Sequence, residues 1–346
     1  MSNRVCLIIP YFGKLPNYFN LWMLSASYNT NIDFLIFSDN PEPQNLPNNI
    51  YWKNTTLNSI RKKASSLVDF TINLEKPYKL CDYRPAYGEI FKDYINSYEW
   101  WGFCDLDVIL GDLSRYITDE KLENYDKILE LGPLTFMKNT ERINNLWKLK
   151  SKNCWSYKQA FRYDKSFHFD EGGGLSFIAL NNGVRTYSEI PNEMSFADID
   201  PFKNGFRLSY VNKEEYFIFL WKDGRLFGYY FDKGSNIMRK KEYTYLHLQK
   251  RRMIFKDKVD DFKNKGFIIS PNSFSLNHNS SITSSDILQT IHYPGIKSSK
   301  KSLINRIKNV HLGYYIRCKI VQKINNIPFL GNEEYFEILK SSKEIE

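Results

Sequence analysis

Val5-Cys6-Leu7-Ile8-Ile9 is an unbroken apolar run that stops at Pro10-Tyr11-Phe12-Gly13, the pattern of a short strand buried on both faces. Between Tyr18 and Tyr28 the apolar positions Phe19, Trp22, Met23 and Ala26 change to helical spacing. A second largely apolar strand follows from Ile32 to Phe37 and ends at Ser38-Asp39-Asn40-Pro41. Strand, helix and strand with short connections predict a parallel sheet with a right-handed crossover. Ligands of such sheets collect outside the carboxyl ends of the strands. A third apolar run, Trp100-Trp101-Gly102-Phe103-Cys104, delivers the chain to Asp105-Leu106-Asp107. The segments Pro10 to Gly13, Ser38 to Asn40 and Asp105 to Asp107 are therefore expected to meet in space.

Helical spacing returns at Tyr87, Ile90, Phe91, Tyr94 and Ile95, with Pro85 expected to open that helix and Asp82 and Arg84 just before it. Beyond the strand, the chain passes Leu131 and Leu134 around Gly132-Pro133, then a helix carrying Ile143, Leu146 and Trp147. From Lys152 to Phe169 the aromatic positions lose any clean period, as in a substrate-facing segment. Lys222-Asp223-Gly224-Arg225 between two aromatic runs is a hairpin signal. A later apolar stretch carries Tyr243 to Leu248 into Gln249-Lys250-Arg251-Arg252.

Alternation puts Asp105 and Asp107 on one side of an extended backbone, where two carboxylates can share a divalent cation. Oxygen ligands of this kind suit Mg²⁺ or Mn²⁺, which keep positions open for phosphate oxygens and water. Such triplets also occur as plain solvated strand ends. A helix start carrying Asp82 and Arg84 beside that strand end makes an anion and ribose site, or else a capped helix with a surface ion pair.

The run from Lys79 to Leu113, with its K-x-C-D-x-R-P-A-Y-G segment followed by W-G-F-C-D-L-D-V-I-L-G-D-L, resembles bacterial proteins encoded in capsule and cell-surface polysaccharide clusters. These are taken to be glycosyltransferases of the glycosyltransferase-A fold. The resemblance extends more weakly from Val5 to about Met253. It implies an α/β fold with a mixed sheet flanked by helices, a nucleotide-sugar donor, and a saccharide or lipid-linked glycan acceptor. It further implies that Pro10, Tyr11, Phe12 and Asp39 hold the base and ribose, with Tyr11 or Phe12 stacking on uracil. Lys79, Asp82, Arg84 and Asp105 join them as donor-binding candidates. His247 completes the metal set of Asp105 and Asp107, and Lys250 and Arg251 neutralise the diphosphate. Asp170, or Glu171 beside it, is the base that an inverting transfer needs. Without the resemblance, Tyr11 and Phe12 read as loop aromatics, Asp39 as a turn cap and His247 as a structural histidine.

Gly172-Gly173-Gly174 lacks the Lys-Ser/Thr of a phosphate loop and reads as close backbone approach to a sugar or as a lid hinge. Asp198-Ile199-Asp200-Pro201 is a second D-x-D, read as a turn because no apolar strand precedes it.

Composition narrows the classes. The 346 residues are 42% hydrophobic and include 24 Tyr and 25 Phe, which suits a globular core together with a ring-stacking cleft. The five cysteines, Cys6, Cys81, Cys104, Cys154 and Cys318, have no metal spacing and read as reduced thiols of a cytosolic protein. No leader and no apolar stretch of membrane-spanning length is evident. The net charge of +9 gathers towards the far end: Leu288 to Asn332 holds eight Lys or Arg and no acid. Interleaved Leu303, Ile304, Ile307, Val310, Ile316 and Ile320 make residues 291–346 a basic helical extension to a catalytic domain of residues 1–290. It is expected to lie on an anionic membrane surface at the inner face of the plasma membrane, or to pack on that domain. No nucleic-acid-binding signature accompanies the charge.

Two other readings exist. A haloacid-dehalogenase-like phosphatase also uses D-x-D after an apolar strand, but Val108-Ile109-Leu110 stands where Gly-Thr usually follows. A non-catalytic, membrane-peripheral carbohydrate-binding protein would account for the aromatics and the basic tail, though not for Asp82, Arg84, Asp105, Asp107 and His247 together.

Overall fold

The computed structural model describes residues 4–152, 154–189, 194–209, 215–232, 234–258, 261–277 and 281–295. Nearly all of the expected basic extension, with Cys318, lies outside the described residues.

The apolar runs become strands β1 (Val5–Tyr11), β2 (Ile32–Ser38), β3 (Ile50–Asn54) and β4 (Trp100–Cys104), all parallel in the order β3-β2-β1-β4. Helix α1 (Phe19–Ser27) links the first two and buries Phe19, Leu21, Trp22 and Ala26. Trp22 stacks on Phe19 and sets its edge against Phe34 of β2. Gly102 in β4 has a packing reason: a Cβ there would stand 2.3 Å from the Thr135 carbonyl.

After β5 (Val108–Leu110), the strands β6 (Lys127–Ile128), β7 (Leu134–Lys138) and β8 (Thr186–Tyr187) complete a seven-stranded sheet. β7 runs antiparallel to β4, which makes the sheet mixed. The fold is thus α/β with a mixed main sheet and helices. Four described cysteines, Cys6, Cys81, Cys104 and Cys154, are free thiols.

Strands β9 (Ala197–Asp198), β10 (Glu215–Lys222), β11 (Arg225–Asp232), β12 (Ile237–Tyr243), β13 (Tyr245–His247), β14 (Ile254–Phe255), β15 (Phe267–Ser270) and β16 (Ser273–Leu276) build two further sheets. One has six strands in the order β12-β11-β10-β15-β16-β14; the other has three, β5-β13-β9. The Asp223-Gly224 hairpin forms, with both residues at positive φ as its tight turn requires. β13 straddles two hydrophobic cores because alternate residues face opposite ways: Tyr245 packs with the main-sheet core and Leu246 with that of the six-stranded sheet.

Three local expectations are corrected. Pro85 does not open a helix: a 3₁₀ stretch already runs over Pro77–Ala86 with Pro77 in its first turn, and two short α-helical turns, Tyr87–Ile90 and Lys92–Ile95, follow it. Ala197–Asp198 is a strand, since β13 supplies a parallel partner, and only Asp200-Pro201 turns. Two of the three glycines pack against the chain itself: a Cβ on Gly173 would lie 2.1 Å from the Phe167 carbonyl, and one on Gly174 2.1 Å from the Phe169 ring and 2.5 Å from the Phe169 carbonyl.

Candidate active site

The D-x-D backbone is fastened from three sides. Asp105 N–H donates to the Pro133 carbonyl (2.9 Å), the Trp22 indole donates to the Asp105 carbonyl (3.2 Å), and Leu248 N–H donates to the Asp107 carbonyl (2.9 Å). Antiparallel pairing of β13 with β5 then brings His247 opposite Val108, beside Asp107. Asp105, Asp107 and His247 each present a ligand atom, and these atoms all lie within 4.8 Å of one another. Ligands about 2.1 Å from one ion stand about 3.0 Å apart at a right angle and about 4.2 Å apart only in line through it, so the three groups would have to draw together to close on a divalent cation. Two carboxylate oxygens and one imidazole nitrogen suit Mn²⁺ or Mg²⁺ and leave positions for phosphate oxygens.

The two carboxylates differ electrostatically. Burial raises the pKa of Asp105, and Arg84, which is ion-paired to it, only partly offsets this. Burial acts on Asp107 the same way, but His247 and Lys250 outweigh it and hold Asp107 below its ordinary value. For His247 burial opposes the charge, yet Asp107 and Asp198 overcome it and raise the imidazole well above its usual range.

A cavity of about 590 Å³ opens over this cluster, within the size range of small-ligand sites. Pro10, Tyr11, Phe12, Arg84, Asp105, Asp107, Asp170, Glu171, His247, Lys250 and Arg251 line it, so most of the expected residues converge. Arg84 connects its halves: one guanidinium nitrogen pairs with Asp105, while the other donates to Asp170 Oδ2 (2.7 Å) and to the Gly132 carbonyl (3.0 Å). Gly132 N–H in turn donates to Glu171 Oε1 (2.8 Å). A Cβ on Gly132 would come within 2.9 Å of the Asp170, Glu171 and Arg84 side-chain ends alike, so any larger residue here has to displace this network. Burial pushes the Asp170 carboxyl up to about 7 against the pull of Arg84, with Glu171 adding to the rise.

The model of a family of unknown function, DUF6625, matches residues 7–278. The chain belongs to that family. No curated protein matches it. Among solved structures it is similar to the galactosyltransferase LgtC in complex with donor and acceptor sugar analogues, at 10% identity over 56% of this chain and 75% of that one, with a TM-score of 0.30. An active-site mutant of LgtC is matched at 11% identity over 56% of this chain and 74% of the other, with a TM-score of 0.31.

Three expected donor-binding residues of this DUF6625 member do not line the cavity. Lys79 and Asp82 are buried at 2% and 0% exposure as an ion pair with a 2.7 Å contact. Lys79 also donates to the carbonyls of Ala160 and Lys165. Asp82 accepts the Phe167 and Phe169 amides at 3.0 and 3.1 Å, so the pair anchors the loop that leads to Asp170. Asp39 caps the turn after β1 by accepting Gly13 N–H (3.0 Å). The sequence alternative placed its cap at the turn before Pro41 instead.

Arg251 needs a further correction. It lines the cavity but is 2% exposed, and its guanidinium donates to the carbonyls of Asp200, Lys203 and Gly205. Its neighbours Lys250 and Arg252 are less buried and sit at the rim. Lys250 lies over the Tyr78 ring, 4.2 Å from its centre.

Arg252, Asp198, Gly132 and His168 are cavity or site residues that sequence reading did not assign to the site. Arg252 was visible only as one of three basic residues in a row. His168 carries a stronger signal in the structure, since it takes a positive φ of 50° between two amides held by Asp82.

Proposed function

We propose that this DUF6625 member is a metal-dependent glycosyltransferase of glycosyltransferase-A type, moving a sugar from a nucleotide diphosphate, UDP by preference, to a surface polysaccharide or its lipid-linked precursor. The supporting observation is the convergence of Asp105, Asp107 and His247 in one cavity with the buried Asp170. Those three residues would hold Mn²⁺ or Mg²⁺, which supplies positive charge to the diphosphate when bound. Tyr11, half-buried in the cavity wall, is the aromatic offered to the base, with the more deeply buried Phe12 beside it, and Lys250 and Arg252 place cations at the rim for the departing phosphate oxygens.

Asp170 is the base. It accepts the proton of the acceptor hydroxyl as that oxygen bonds to the anomeric carbon and the bond from carbon to diphosphate oxygen breaks, inverting the centre. A carboxyl titrating near 7 is matched to that task at neutral pH. The basic stretch from residue 291 onward is proposed to bring the enzyme to the anionic inner membrane face, where a lipid-linked acceptor resides.

Calorimetry with UDP-sugars, with and without Mn²⁺, tests the reading, followed by donor hydrolysis across UDP-, GDP- and dTDP-sugars. Metal-dependent binding that disappears in Asp107→Ala, with an unchanged far-ultraviolet spectrum, is expected. Full turnover in that variant, or release of inorganic phosphate from generic phosphomonoesters, would overturn it.

A further inference from the structure

We infer that Asp198 is a positioning residue for the metal cluster, selecting which nitrogen of His247 faces the cation and pinning the strained turn that follows. This rests on the metal-dependent reading of the same cavity.

β9 runs parallel to β13 with Asp198 and His247 as register neighbours. The Asp198 carboxylate is 5% exposed, and its Oδ1 accepts both from His247 Nδ1 (2.7 Å) and from the Gln249 side-chain amide (2.7 Å). With Nδ1 engaged, Nε2 is the nitrogen turned towards Asp107, at 3.4 Å. A ring oriented by a buried carboxylate at one nitrogen presents its other nitrogen to a metal in a fixed direction.

The same oxygen governs the next residues. Gln249 and Lys250 both take positive φ, 53° and 58°, a conformation that side chains with a Cβ adopt only when held. Asp198 holds the first through its side chain. Asp107 holds the second by accepting Lys250 N–H at 2.9 Å. The chain is thereby folded back over the D-x-D segment, which sets Lys250 and Arg252 at the rim of the cavity. The other acid of this second D-x-D does different work: Asp200 accepts Phe202 N–H at 2.9 Å and pairs with Lys203.

The test is Mn²⁺ binding to the full chain, with no sugar donor present, followed by calorimetry or by the electron paramagnetic resonance of free Mn²⁺. Asp198→Ala is expected to weaken Mn²⁺ affinity by about 10- to 100-fold. Asp198→Asn keeps an acceptor oxygen in place and is expected to fall between that variant and the wild type. Thr244→Val serves as the control for stability alone: it removes a buried hydrogen bond to Ser195 (2.6 Å) without touching a ligand, and is expected to melt earlier yet bind Mn²⁺ normally.

Unchanged Mn²⁺ affinity in folded Asp198→Ala overturns the inference while leaving the metal site standing, provided Asp107→Ala has lost binding. If Asp198→Ala does not fold, unchanged affinity in Asp198→Asn overturns it equally. A loss in Thr244→Val as large as that in Asp198→Ala overturns it as well. Absence of Mn²⁺ binding by the wild type overturns the metal-dependent reading itself, and the inference with it.

Discussion

Replacing Asp170 with Asn should stabilise the protein above neutral pH while removing its base. In the folded chain the carboxyl is 2% exposed and titrates near 7 instead of 3.8, because burial outweighs Arg84. At 1.36 kcal/mol per pH unit, that difference favours the neutral form by roughly 4 kcal/mol. Below pH 3.8 both folded and unfolded chains keep the proton and the residue contributes nothing. Between 3.8 and about 7 the unfolded chain loses it first, so folding stability falls as pH rises, and above that the full penalty applies.

The amide introduced by Asp170→Asn would keep an oxygen for the Arg84 donor without a charge to bury. The variant's advantage over wild type should therefore be small at pH 5 and grow to roughly 4 kcal/mol at pH 8. Urea unfolding at the two pH values measures it, and Tm should rise by several degrees at pH 8. Transfer should drop by about 10²- to 10⁴-fold in the same protein. A stability difference that ignores pH, or a variant weaker than wild type at pH 8, would refute the burial account.

Other expectations follow from the same geometry. Arg252→Ala should raise the donor KM while leaving Tm in place, whereas Arg251→Ala should lower Tm because three loop carbonyls lose their donor; kinetics and melts on both variants separate the roles. Gly132→Ala should lower stability by about 1–3 kcal/mol and reduce kcat as the new methyl parts Arg84 from Asp170, read by unfolding and steady-state rates. Asp82→Asn should lower stability by about 3–5 kcal/mol by stranding the buried Lys79 ammonium. Adding Lys79→Met should restore part of that loss in urea titrations.

Much of the scaffold was legible in the chain. Mostly apolar runs at Val5, Ile32 and Trp100 specify strands covered on both faces, and these three strands pair with one another in parallel. Asp-Gly at 223–224 specifies a tight hairpin. The acids Asp105 and Asp107 were legible as a motif at the end of an apolar strand, but not through alternation along it: they lie beyond β4, in the turn that leads into β5.

What could not be read locally was which distant groups complete the site. His247 reaches Asp107 across more than a third of the chain only through the pairing of β13 with β5, and Asp198 reaches His247 only through β9. Lys250, Arg251 and Arg252 look equivalent in sequence. The positive φ angles at Gln249 and Lys250 send Arg251 into buried carbonyls and its neighbours to the rim. Likewise Lys79 and Asp82 resemble ligand-binding charges until burial shows that they neutralise each other. Local patterning sets strands and the faces of residues along them; partner choice between far-separated charges is decided by burial, where a charge must find its counterpart or lose it.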